Sequence, residues 1–198
     1  MKQVLFVLSL LCAGLAGAAE FNWTPSGAGT TTIQHVDFSK PITISIAYTI
    51  ANGASIGTGP QNGNILAASW NGDNITYNSF AFRNITTGPR IVINENESYD
   101  NNTVVTGAFA EDTHTLTVTL DLANKTGTFT FDSGAATNIG FPTNAGFTFN
   151  DALVLHAYDQ TGLTYGEISV DYTSSIPEPT ALALLALGVA GVALRRRL

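Results

Sequence analysis

Between residues 20 and 173, apolar and polar positions alternate in short runs, and nowhere do apolar residues recur at helical spacing over a useful length. The clearest runs are 42–50, 90–93, 115–122, 127–131 and 167–172. Alternation with a period of two buries one face of a strand and leaves the other in water, as in antiparallel sheets. In 115–122 it sends Leu116, Val118, Leu120 and Leu122 inward and Thr115, Thr117, Thr119 and Asp121 outward. The stretch 152–158 (Ala-Leu-Val-Leu-His-Ala-Tyr) is more continuously apolar and predicts a central strand.

Ala123-Asn124-Lys125-Thr126 predicts a hairpin connection, and segments 53–64 and 94–102, rich in Gly and Asn, predict loops. No repeat of fixed period and no internal linker interrupts the pattern. Many short strands joined by polar turns predict an all-β protein, an antiparallel β-sandwich of jelly-roll-like form over residues 20–173.

The two ends are of another kind. Residues 1–19 combine Lys2, an apolar run over 4–15 and the small residues Ala16-Gly17-Ala18-Ala19, which together predict a secretory signal peptide cut after Ala18 or Ala19. Cys12 does not fit a lipoprotein leader, because Leu11 stands where a small residue is needed. At the other end, Pro177-Glu178-Pro179 precedes an apolar stretch over 180–194, followed by Arg195, Arg196 and Arg197. The prolines deny a helix start before Thr180. As a helix, 180–194 spans about 22 Å, short of a hydrocarbon core of roughly 30 Å. The segment predicts a short C-terminal transmembrane helix, with the arginines holding the terminus in the cytoplasm and the domain outside.

Pro177-Glu178-Pro179, the short helix and the terminal arginines resemble the PEP-CTERM sorting signal of Gram-negative bacteria, here over residues 174–198. The resemblance implies recognition by an exosortase, a membrane protein with cysteine-protease-like chemistry. That enzyme would remove the helix after an inner-membrane stage, then release the product or attach it at the cell surface. The order of the strands also resembles the concanavalin A-like jelly roll, particularly its laminin-G-like branch. Residues 116–122, a turn and 128–134 are similar to that family's central hairpin, and 167–172 to its closing strand. The resemblance implies a fold and brings no site residue with it.

Charge changes the picture of partners. Residues 20–173 hold four of the eight bases and fourteen of the fifteen acids, a net charge of −10. Nucleic acid needs a basic face and is excluded as a partner. Cys12 is the only cysteine, so residues 20–173 can form neither a disulfide nor a thiolate metal site.

Candidate chemistry is sparse. Trp70, Asn71, Asp73 and Tyr77 form a set suited to a sugar, an aromatic ring beside amide and carboxylate groups; a core tryptophan followed by a turn explains the same residues. Glu95, Glu97 and Asp100, among several asparagines, offer hard oxygen ligands of the kind that hold Ca²⁺, without the spacing of a known calcium loop. His35, His114 and His156 lack metal-ligand spacing. Gly53-Ala54-Ser55-Ile56-Gly57 matches a nucleophile elbow, but the residues after Gly57 cannot open the helix that chemistry needs. Glu167 and Asp171 share a strand face, yet the paired-carboxylate pattern of glycoside hydrolases is missing. The ladder Thr115, Thr117 and Thr119, spaced roughly 6.7 Å, resembles ice-contacting surfaces, but no repeat stacks further ladders on it. The expectation is a non-enzymatic structural or adhesive protein of the cell surface or matrix, with an exopolysaccharide or other glycan as the alternative partner.

Overall fold

The computed structural model describes residues 16–58, 63–72, 78–94, 102–142 and 146–177. None of these residues is helical. Twelve strands form: β1 (Ala16–Trp23), β2 (Gly29–Gln34), β3 (Ile42–Ser55), β4 (Asn64–Ser69), β5 (Ser79–Ile85), β6 (Gly88–Asn94), β7 (Asn102–Val104), β8 (Asp112–Asp121), β9 (Thr126–Phe131), β10 (Thr137–Asn138), β11 (Ala152–Ala157) and β12 (Thr161–Pro177). They make two six-stranded antiparallel sheets, ordered β1-β12-β3-β8-β9-β10 and β2-β11-β4-β5-β6-β7. This is the predicted β-sandwich.

Alternation places the core. On β3, Ile42, Ile44, Ile46, Tyr48 and Ile50 are buried, and on β8 Leu116, Val118 and Leu120 meet them. From the second sheet come Ile65, Leu66, Phe80, Phe82, Ile91 and Ile93. Each such side chain, fully buried, contributes about 1.5–3 kcal/mol. The outward residues of β3 and β8 pair by hydroxyl: Thr43 with Thr119 (3.1 Å), Ser45 with Thr117 (2.9 Å) and Thr49 with Thr113 (3.0 Å). The predicted hairpin joins β8 to β9, its turn fastened by the Asp121 carboxylate. That group accepts from the Asn124 side-chain amide (2.8 Å) and backbone N–H (3.0 Å). As predicted, β11 is an interior strand, paired with β2 and β4.

Several boundaries differ from expectation: Asn64, Asn94 and Asn102, read as loop, lie in β4, β6 and β7, and the sandwich begins at Ala16 rather than at residue 20. Residues 53–55, read as loop, extend β3, because Gly53 takes φ +73° and bends the strand without ending it. At the far end β12 runs beyond residue 173 to Pro177, since Ser175 N–H donates to the His35 carbonyl (2.7 Å) and Asp37 N–H to that of Thr173 (2.8 Å). The rest of the predicted leader and the predicted C-terminal helix lie outside the described residues.

Candidate functional site

Trp70 is not a surface platform. It is 0% exposed and sets its ring edge-on to Phe147, with centroids 5.4 Å apart. Burial corrects its reading as a sugar-stacking ring, because neither face is open. Asn71 is half-buried and donates from its side chain to Thr148 Oγ1 (2.7 Å). Asp73 and Tyr77 lie outside the described residues, as do Glu95, Glu97 and Asp100 of the proposed calcium loop. Among the described residues, no three His, Cys, Asp or Glu side chains gather as metal ligands. Ala18 and Ala19 sit in edge strand β1, opposite Thr173 and Tyr172. Pro177 ends β12; Glu178, Pro179 and Arg195 to Arg197 lie outside the described residues.

Trp70 does, however, point to a site. From it a row of rings leads outward, Phe147 to Phe149 at 6.4 Å and Phe149 to Phe38 at 5.4 Å, the last pair stacked within 16° of parallel. Phe149 is 41% exposed and lies in a shallow groove of about 510 Å³. The groove is lined by the loop 36–39, the turn residue Ala123, the segment 149–151 and Ser175. Backbone bonds fix these pieces: Val36 N–H donates to Asp151 (2.9 Å), and Asn150 N–H to Trp70 (2.9 Å). Thr148 N–H donates to the Asn78 side chain (3.0 Å). His35 and Asn78 both take left-handed backbone angles, φ 62° and 53°. Such strain persists only where the surroundings hold it.

The rim is polar and acidic. The Ser39 hydroxyl, 2.6 Å from Asp37, holds that carboxyl below its ordinary range. Burial opposes the shift, and the Ser39 amide and Lys40 reinforce it. Asp37 therefore presents a fixed negative charge beside the apolar ring. Across the groove Asp151 lies 3.3 Å from His35 Nδ1, both groups well exposed. The arrangement offers one exposed aromatic ring, Phe149, backed by the buried Phe38, with two carboxylates, the exposed Asn150 and two serine hydroxyls. No sequence signal marked it, because its parts come from distant loops.

A second cluster lies at the opposite end of the β8–β9 hairpin. His114, 7% exposed, sets Nδ1 3.0 Å from an Asp132 oxygen and Nε2 3.1 Å from the Ala110 carbonyl. The other Asp132 oxygen accepts from Thr115 N–H (2.8 Å), and the Tyr48 hydroxyl donates to the Ala108 carbonyl (2.8 Å). This cluster ties the 106–110 turn to the sheet. Burial pushes the Asp132 carboxyl up, but the Thr115 amide and the His114 hydrogen bond and charge together hold it below its ordinary value of 3.8. A carboxyl lowered in the folded state stabilises above its unfolded value and ceases to as pH falls through its folded one. Asp132→Ala is therefore expected to cost about 1–2 kcal/mol near neutrality, solvent screening reducing the effect. Urea titrations at successive pH values should show the loss fading from about pH 4 downward. A loss that stays constant down to the acid limit contradicts the linkage.

Comparison with known proteins supplies two findings. The model of the PEP-CTERM protein-sorting motif matches residues 175–197. No curated protein matches the chain. Similar solved structures include a protein of unknown function from Shewanella oneidensis MR-1, 10% identical with a TM-score of 0.50, covering 82% of this chain and 72% of that one. Peanut lectin with a 9mer peptide is 12% identical with a TM-score of 0.49, covering 81% of this chain and all of that one. A Bauhinia forficata lectin in complex with GalNAc is also 12% identical, with a TM-score of 0.48 and the same coverage. The likeness to the Shewanella protein speaks for the fold alone. At its C-terminal end the chain carries a PEP-CTERM sorting motif that begins inside the last strand of that sandwich.

Proposed function

We propose that this is an exported protein, sorted by an exosortase through its C-terminal motif, whose sandwich is a non-enzymatic adhesive module for a neutral glycan. The observation that carries the adhesive reading is the exposed ring of Phe149 set among Asp37, Asn150 and Asp151. A pyranose has an apolar C–H face and a rim of hydroxyls. The face suits an aromatic ring, and ionised carboxylates accept strongly from hydroxyl donors. The acids on the rim disfavour uronic acids and other anionic polymers, which narrows the ligand to neutral or amino sugars. A shallow, open groove suits an internal stretch of a polysaccharide, as in an extracellular matrix.

The test is a glycan array and titration calorimetry on the secreted protein. Binding to neutral polysaccharide is expected, weakened at least tenfold (about 1.4 kcal/mol) in Phe149→Ala and in Asp37→Asn. Binding that survives Phe149→Ala unchanged, or no retention by any neutral glycan, would overturn the adhesive reading.

A further inference from the structure

The sorting motif begins at residue 175, yet 175–177 are still part of β12. The ladder between β12 and β3 stops at Asp171 opposite Thr43. Beyond it, residues 172–177 are held from two sides. On one, Thr173 and Ser175 bond to the loop 35–37, with Ser174 opposite Val36. On the other lies β1, where Ala19 faces Tyr172, Ala18 faces Thr173 and Ala16 faces Pro177. Backbone groups alternate sides along a strand, so with Thr173 and Ser175 turned to the loop, those of Tyr172 and Ser174 turn to β1.

Of the residues of β1 that cover this stretch, leader cleavage after Ala18 would remove 16–18 and cleavage after Ala19 would remove 16–19. A cut after Ala19 makes Glu20, opposite Asp171, the first residue of β1. The backbone groups of Tyr172 and Ser174 then lose their cover, while the loop 35–37 still holds the strand extended. Such an edge is a template for another strand. Its ordering cost has already been met by folding, so pairing with it is favoured over pairing with a free tail. Ile176, 44% exposed, adds an apolar contact at its end.

We infer that residues 172–176, bared by leader removal, are the docking strand through which the sorting enzyme takes hold of this chain by β-strand addition. The occupant follows from continuity: the edge runs without a break into Pro177, where the missing N–H ends the ladder and sets the register on the motif. The inference rests on the export-and-sorting reading. Before the cut, residues 16–19 shield the edge; a single cleavage uncovers it.

The test tracks both ends of the full chain by pulse–chase and mass spectrometry in a host that carries an exosortase. One variant inserts Thr-Val-Thr-Val between Ala19 and Glu20, so that the trimmed chain keeps a strand over 172–176 without disturbing the core. A second, Ser174→Pro, removes an N–H from the open side and spares the bonds of Thr173 and Ser175. Both are expected to slow C-terminal processing at least about fivefold while leader removal proceeds as in the parent. Thr173→Val, which leaves every backbone group in place, is expected to be processed at the parent rate. If the parent loses both ends and the two edge variants are processed just as fast, the docking strand is refuted and the sorting reading stands. A parent that keeps its leader or its C-terminus removes the sorting reading and the inference with it. A parent that dimerises after leader removal, with an insertion variant that stays monomeric yet is processed normally, assigns the edge to a second copy and also overturns the proposal.

Discussion

Trp70→Ala is expected to destabilise the sandwich by about 3–5 kcal/mol, the cost of emptying a packed aromatic site. Against a total stability of about 5–15 kcal/mol for a domain, that is enough to unfold much of the population on mild warming. The ring is fully buried, at the end of β4, while the backbone around it is independently held. Trp70 N–H donates to Asn78 and its carbonyl accepts from Asn150, bonds an alanine can keep. The loss is therefore one of volume and contact. Its indole N–H has no hydrogen-bond partner among the described residues. Phe149→Ala, at the exposed end of the same row of rings, should shift stability by less than about 1 kcal/mol while removing the proposed sugar platform. Urea unfolding of the two variants separates the roles. Equal losses would mean that the row is either all core or all surface.

The second large effect belongs to Gly162. It lies in β12 at φ +84°, and a side-chain carbon there would stand 2.6 Å from Ala54 Cβ and 2.7 Å from Ala54 Cα. The pairing of β12 with β3 shifts register at this point, between Thr161 opposite Ser55 and Leu163 opposite Ile50. An alanine must bear the left-handed angle and push a neighbouring strand, together about 2–5 kcal/mol. Gly53, on the facing strand, has a similar angle of +73° with nothing within 4 Å of the added carbon. Gly53→Ala should therefore cost only about 1–2 kcal/mol. The difference in urea midpoint isolates the close approach; identical midpoints would show that backbone angle alone matters.

Much of the fold is legible in the sequence, for a reason the strands themselves display. The outer faces of β3 and β8 meet water, so their patterns alternate and their inward residues can be named in advance. In β4 and β5 this signal vanishes. All six residues of Asn64–Ser69 are buried, as are the first five of Ser79–Ile85, so small and polar residues there carry no facing information. The start of β1 is hidden differently, since the small residues Ala16 to Ala19 match a cleavage signal in the sequence and form a strand in the structure. The sorting motif is legible because it is a linear signal. The groove is not, because Asp37, Phe149 and Ser175 meet only after the sheets form, and Phe149 lies in no alternating run. Trp70 shows how near a sequence reading can come. The tryptophan belongs to the row of rings that ends at the groove, and its burial leaves Phe149 as the exposed ring of that row.

The hydroxyl pairs that link β3 to β8 have a consequence for how the sheet responds to salt. They carry no net charge, so added electrolyte has nothing to screen in them. Asp151 stands 3.3 Å from His35 at the groove, where both side chains are well exposed. Changes in salinity should therefore pass over these hydroxyl pairs and be felt at the groove, where dissolved ions compete with Asp37 and Asp151 for what approaches.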